Sequence, residues 1–265
     1  MKIKLPISAF IIAKNEQDFI GTAIKSLVDW IDEVIVIDSG SQDKTVEIAT
    51  NLGARVVYNE WSGYVNQKIF GESLCRNKWI INIDADEEFS ENLKEEVFLL
   101  FSKNTLTPSA YYINVVMVHR FKKKFLCKIA PRNKVIRFYN IEIAGFCYGD
   151  LSSLYRDSVK LNKKMEVSPL ELKNVIWHRS FRSIQQMMDK INFYTNIQVE
   201  EDLKKGRKIN PIRVLIEFWM VFIKFYLLRR YFIYGIDGFI DSMIYAFSRF
   251  IRLAKLREKT IKNKY

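Results

Sequence analysis

Two carboxylates one residue apart, Asp84 and Asp86, sit where the apolar run "WIINID" meets the acidic stretch "DADEE". Side chains alternate along an extended chain, so Asp84 and Asp86 share one side. A pair held that way can ligate a hard divalent ion, which in turn bridges a diphosphate and neutralises it as a leaving group without proton transfer. Acids crowded at the end of a buried strand repel one another and lose hydration, and here there are four: Asp84, Asp86, Glu87 and Glu88. Something positive must face them, either Lys or Arg, a helix N-terminus or a metal ion. The plainer alternative is a solvated acidic turn before a helix at Ser90, with Glu91 in its first turn.

Three further residues could join such a site. Asp38 ends "EVIVID" just before "SGS"; it could accept from a uracil or ribose donor, or simply close an Asx-turn. Glu16 follows "ISAFIIA" and is open to the same two readings, ligand contact or first-turn helix acid. Lys68 could reach a phosphate or solvate a helix face. No G-x-G-x-x-G follows the first apolar run and no G-x-x-x-x-G-K-[ST] is present, which argues against a dinucleotide or P-loop site.

The elements that must position these residues are legible from periodicity. "ISAFIIA", "EVIVID", "ARVVY" and "WIINID" have strand length and β-branched content. Helical spacing separates them: "DFIGTAIKSLVDW", then "SGSQDKTVEIATNLG" closed by Gly53, then residues 64–76. This alternation predicts an α/β fold, a mostly parallel sheet with flanking helices. Ligands on such sheets bind beyond the carboxyl ends of the strands, where "AKNE", "DSGSQD" and "DADEE" would converge. Beyond residue 105, "AYYINVVMVHRF" and "KVIRFYN" read as strands, with His119 as packing. "FKKKF" is a basic lip for a phosphorylated acceptor or a solvated loop.

The 265 residues suffice for a sizeable core, and 49% hydrophobic content is that of a globular protein. Three dispersed cysteines without C-x-x-C spacing suggest a reducing compartment. The N-terminal apolar run is short and broken by Pro6 and Ser8, which does not fit a signal peptide, and a cytoplasmic protein is expected. The net charge of +12 is uneven: residues 1–100 carry 10 Lys and Arg against 17 Asp and Glu, leaving +19 on the remainder. That asymmetry points the later part of the chain toward something anionic.

"AFIIAKNE", "DEVIVIDSGSQDKTVEIA", "GARVV", "QKIF" and "WIINIDADEE" together resemble the family-2 glycosyltransferases. "VNQKIF" and "WHRSFRSI" are similar to the lipopolysaccharide inner-core glucosyltransferases that add β-linked glucose to heptose. The resemblance implies a GT-A fold with a nucleotide-sugar-binding half at 1–104, an acceptor-binding half at 105–180 and C-terminal helices at 181–265. It implies an inverting transfer from UDP-glucose to a lipopolysaccharide-core or similar lipid-linked acceptor. It places nucleotide contacts on Glu16, Asp38 and the Asp84/Asp86 pair, with Mg²⁺ or Mn²⁺ held mainly through Asp86; Lys68 joins the expected nucleotide-sugar contacts on the reading of the residues alone. The subgroup's Val-His-acid segment falls on "YRDSV", with Arg156 where His is usual, which makes Asp157 the expected base, ahead of Asp150 and Glu142. His178 is expected as a structural or capping residue, or as an acceptor contact.

The tail holds two amphipathic helices after the helix of 183–205. "INP" opens the first, with Asn210 as N-cap and Pro211 at N1. It continues through "VLIEFWMVFIKFYLLRRYF", interrupted by Glu217 and Lys224, and a second helix starts near Gly238. Apolar faces edged by Lys and Arg suit helices lying at the inner face of the cytoplasmic membrane, while a helix pair packed on the core is the alternative. Two rival functions remain at this stage. One is a nucleotidyltransferase with the same Asp-x-Asp site; the other is a non-catalytic membrane or nucleic-acid binder. Nucleic acid is disfavoured, because Lys and Arg do not interleave with aromatics on one strand-borne face.

Overall fold

The computed structural model describes residues 4–102, 107–121, 124, 130–146, 158–162, 167–207 and 210–262. They form two compact units, Met1–Val116 with Asn133–His178, and Met117–Arg132 with Arg179–Tyr265.

The first unit is built on four parallel strands: β1 (Leu5–Ala13), β2 (Ile31–Asp38), β3 (Arg55–Tyr58) and β4 (Trp79–Asp84). Helices α1 (Ile20–Lys25), α2 (Thr45–Asn51) and α3 (Tyr64–Ser73) connect them, as the alternating periodicity predicts. Then follow β5 (Glu87–Phe89), α4 (Glu91–Ser102), β6 (Ala110–Met117), β7 (Arg132–Asn140), β8 (Ala144–Gly145), β9 (Lys160–Leu161) and β10 (Leu170–His178). The main sheet runs β3-β2-β1-β4-β7-β6-β10-β5, while β8 and β9 form a separate pair. β7 lies antiparallel to β4, and β5 antiparallel to β10.

β1 sits inside the parallel part, and Ile7–Ala13 are all buried. Both faces are covered, so the strand is apolar at nearly every position. Ile7, Ala9 and Ile11 face one cluster with Ile20, Ile24 and Leu93; Phe10 and Ile12 face the other with Ile35, Ile37 and Tyr139. α3 approaches that second face closely. A Cβ on Gly71 would stand 2.6 Å from Phe10 Cδ2 and 2.9 Å from Ile37 Cδ1, so only glycine allows the approach. Its neighbour Glu72 is buried and accepts from the Tyr139 hydroxyl and, at 3.2 Å, from the Phe146 amide. Burial pushes its carboxyl above the usual carboxylate range, against the pull of those two donors.

The second unit is helical: α5 (Ile184–Lys204), α6 (Pro211–Ile223) and α7 (Ile236–Lys262). Ser183 caps α5 through Gln186 N, and Asn210 caps α6 through Ile212 N, the second as the sequence predicts. α6 runs into a π-helical turn at Lys224–Leu228, where Arg229 N donates to Lys224 O at 2.8 Å, and a 3₁₀ turn at Tyr231–Tyr234 leads to α7. α6 and its π turn pack on α7 through aromatic pairs such as Phe225–Tyr245, stacked at 4.2 Å. Buried acids anchor the bundle: Asp202 takes Arg252 and Arg207, and Asp241 takes Arg120 at 3.0 Å. His119, expected as packing, is buried with Nε2 3.2 Å from Asp241. Among the described residues no helix is long and apolar enough to cross a membrane.

Gly71→Ala should lower unfolding stability by about 1–3 kcal/mol, because it overpacks the α3 contact with Phe10 and Ile37; urea denaturation measures it, and an unchanged midpoint would contradict the tight approach. Glu72 has a raised folded pKa, so its contribution to stability is complete below the unfolded carboxylate value and is lost as pH rises through the folded one. The melting temperature of Glu72→Gln should therefore gain on that of the unaltered protein from pH 4 to pH 8. Parallel curves would contradict this.

Candidate functional site

The parallel registers bring the sequence candidates to one edge. Ala13 pairs with Asp38 and Ile12 with Asp84, so both acids flank the carboxyl end of β1. The loops beyond β1 and β2 are stitched together: Asn15 N donates to Ser41 Oγ, Gln42 N to Asn15 Oδ1, and Glu16 N to Thr45 Oγ1 at 2.7 Å. Asn15 accepts a left-handed φ of 56° to do so, a conformation that Asn tolerates better than most residues. Glu16 O receives Phe19 N and Ile20 N, which starts α1.

Asp38 closes an Asx-turn, its Oδ2 accepting from Gly40 N at 2.9 Å and Ser41 N at 3.0 Å. The turn reading left open by the sequence is thus realised; it fixes the loop in which any ligand contact by Asp38 would be made.

The acids after β4 are met by side chains from three other elements. Lys68, on α3, is only 1% exposed, and its Nζ lies 2.9 Å from Asp84 Oδ1. It does not solvate a helix face. Arg137, on β7, reaches Asp84 Oδ2 and Glu87 Oε1, both at 2.6 Å, and Asn82 Oδ1 at 2.8 Å. The two cations outweigh the burial that would raise the Asp84 pKa and hold it well below the usual carboxylate range. Glu87, more deeply buried and beside Asp84, is pushed the other way, mainly by desolvation. Its Oε2 also accepts the Asp84 amide at 2.9 Å.

Asp86 does not continue the extended strand. β4 ends at Asp84, and a turn through Ala85 and Asp86 leads into β5. The acidic stretch therefore becomes a short strand rather than a turn running directly into a helix. β5 pairs with β10, setting Glu87 opposite His178. His178 Nε2 lies 3.2 Å from Asp86 Oδ1. Burial alone would lower the His178 pKa, but the carboxylates of Asp86, Glu87 and Asp84 together outweigh it and raise it to about 9. Arg137 and the Asp86 contact of His178 are what sequence reading missed. Both depend on strands that pair antiparallel across long stretches of chain, and local patterns carry no trace of that.

Among the described residues no group of three or more His, Cys, Asp and Glu is arranged to hold a metal ion. Both Asp84 oxygens already face cations, so Asp84 is not a spare ligand. Asp86 and His178 are the pair that could hold a divalent ion, provided the ion brings further oxygen ligands and displaces the His178 proton. A diphosphate would supply such oxygens. Asp157 and Asp150 lie outside the described residues. Glu142 sits just past Asn140, which pairs with Trp79 at the amino end of β4; it bonds Lys78 at 2.7 Å, at the opposite edge from Asp84.

Replacing Arg137 with Met should cost about 3–5 kcal/mol in urea unfolding, because Glu87 would stay buried beside Asp84 with its main partner gone. A loss under 1 kcal/mol would mean that Lys68 and His178 alone neutralise the cluster.

The model of the family described as "Glycosyl transferase family 2" matches residues 8–161. An uncharacterized glycosyltransferase of Rickettsia felis is 46% identical over 261 residues, covering 97% of this chain and 92% of its own. The lipopolysaccharide core biosynthesis glycosyltransferase LpsC of Rhizobium meliloti is 26% identical over 265 residues, with 97% and 93% covered. Among solved structures, glucosyl-3-phosphoglycerate synthase of Mycobacterium tuberculosis, in complex with Mn²⁺, uridine diphosphate and glucosyl-3-phosphoglycerate, matches 43% of this chain and 44% of its own at 27% identity, with a TM-score of 0.33.

Proposed function

Because the chain belongs to glycosyl transferase family 2 and is a glycosyltransferase of GT-A fold, we propose that it is an inverting, metal-assisted enzyme transferring a hexose, glucose from UDP-glucose, to a lipopolysaccharide-core or other lipid-linked saccharide. One observation carries this reading: the ionised Asp84 and the Asp86–His178 pair stand together at the carboxyl edge of a parallel sheet, beside the loop ordered by Asp38. The similarity to LpsC supports a lipopolysaccharide-core acceptor, and the net +19 beyond residue 100 supports an anionic one at the inner face of the cytoplasmic membrane.

In this reading Asp38 and Glu16 contact the nucleoside, and Lys68 and Arg137 keep Asp84 ionised to receive the donor. Asp86 and His178 would hold Mg²⁺ or Mn²⁺, which supplies positive charge to the departing diphosphate. Asp157 takes the proton of the acceptor hydroxyl as its oxygen bonds to the sugar carbon. The bond to the UDP oxygen breaks on the opposite face, so the configuration inverts. The transition state has oxocarbenium character.

Calorimetric titration of UDP, with Mn²⁺ and then with EDTA, tests the reading. Binding should require the metal and disappear in Asp86→Ala. Asp157→Asn should keep UDP binding while losing about 10²–10⁴-fold in transfer rate. UDP binding indifferent to both EDTA and Asp86→Ala would reject the metal site, and near-normal transfer by Asp157→Asn would reject the base.

A further inference from the structure

Among the described residues, the α6–α7 hairpin has a broad exposed apolar face. On α6, Ile212, Ile216, Trp219, Met220 and Ile223 fall on one stripe, and all are exposed, Trp219 by 61%. The stripe continues over the π turn and into α7: Leu228 is 75% exposed and Ile236 71%, followed by Phe239 and Ile240 at helical spacing. A water-soluble surface rarely carries so many large apolar side chains side by side, and such patches mark sites of association.

The charges around this face are predominantly positive. Residues 211–240, which span the stripe, contain Arg213, Lys224, Arg229 and Arg230 and two acids, Glu217 and the half-buried Asp237. Glu217 is buried and neutralised by Arg213, 2.8 Å away. Lys224, Arg229 and Arg230 are exposed. Arg229 lies over the Phe225 ring, with 4.8 Å from its guanidinium carbon to the ring centroid, so cation and aromatic share the border of the stripe. Apolar side chains bordered mainly by cations complement a surface with hydrocarbon below and phosphate above. A second copy of this chain would set the same cations against each other.

We infer that the α6–α7 hairpin is a membrane-docking surface, lying in the headgroup region of an anionic bilayer with the Trp219 stripe in the hydrocarbon and Lys224, Arg229 and Arg230 on lipid phosphates. The hairpin lies along the bilayer without crossing it, consistent with the absence of a spanning helix among the described residues. This deepens the proposal of a lipid-linked acceptor and rests on it for purpose, though not for geometry.

The test is flotation of the full chain with vesicles of neutral phosphatidylcholine, and of the same lipid with about a third phosphatidylglycerol. The protein should float with the anionic vesicles and scarcely with the neutral ones, and added salt should weaken the binding. Trp219→Glu with Ile223→Glu should cut the bound fraction at least tenfold, and Lys224→Glu with Arg229→Glu should remove the preference for anionic lipid. All four positions are exposed, and UDP titration and urea unfolding of both double variants should match the unaltered protein. Failure of the UDP titration in every variant would therefore point to the donor reading and not to this surface. No flotation with anionic vesicles overturns the inference. So does flotation unchanged in the Trp219/Ile223 variant, or a dimer by light scattering that this variant alone dissolves while vesicles are ignored.

Discussion

Four acids gathered where β4 ends impose the constraint around which the first unit is arranged. Ionised carboxylates in a half-buried crevice are tolerated only with opposite charge at bonding distance. Arg137 answers most of that demand, reaching Asp84, Glu87 and Asn82 at once. To deliver it, β7 must run antiparallel beside β4. Lys68 must reach Asp84 from α3, a helix seated against Phe10 and Ile37. His178 must return on β10 to face Asp86. One electrostatic requirement thus ties together a helix and two strands far apart in sequence.

The same arrangement fixes the edge of the sheet in advance of any ligand. Fixed dipoles and charges act most strongly when nothing must move to place them. The turn closed by Asp38 and the cross-links of Asn15, Glu16 and Ser41 fix the loops after β1 and β2. Asp84 is held ionised, while Glu87 beside it is driven toward its neutral form. Adjacent carboxylates pushed in opposite directions give the edge two distinct characters within a few residues.

How much of this the sequence revealed depended on the range of the forces involved. β1 to β4 and their helices follow from local periodicity, as does α5, and Asn210 announced α6 because a cap acts within three residues. Asp84, Asp86 and Asp38 were legible as strand-end polar residues. Arg137 was not, since its meaning depends on a register across 53 positions. Lys68 read as ambiguous because helical spacing alone does not say which face is buried. β5 escaped notice because its partner β10 lies some ninety residues later, and three residues carry no period of their own. The segment with Asp157 lies outside the described residues, so its place rests on resemblance alone.

The π turn at Lys224–Leu228 carries an implication about ancestry. A π turn is an α-helix that has absorbed one additional residue without losing its backbone bonding, here closed by Arg229 N on Lys224 O. Each residue advances a helix by about 100°. The wider turn spreads nearly the same rotation over one more residue, so deleting one position in 224–228 would restore α geometry and leave the cations that follow close to their present face. The turn is therefore an insertion the helix has accommodated in place: alignments of more distant relatives should open a one-residue gap there while the apolar stripe on either side keeps its register.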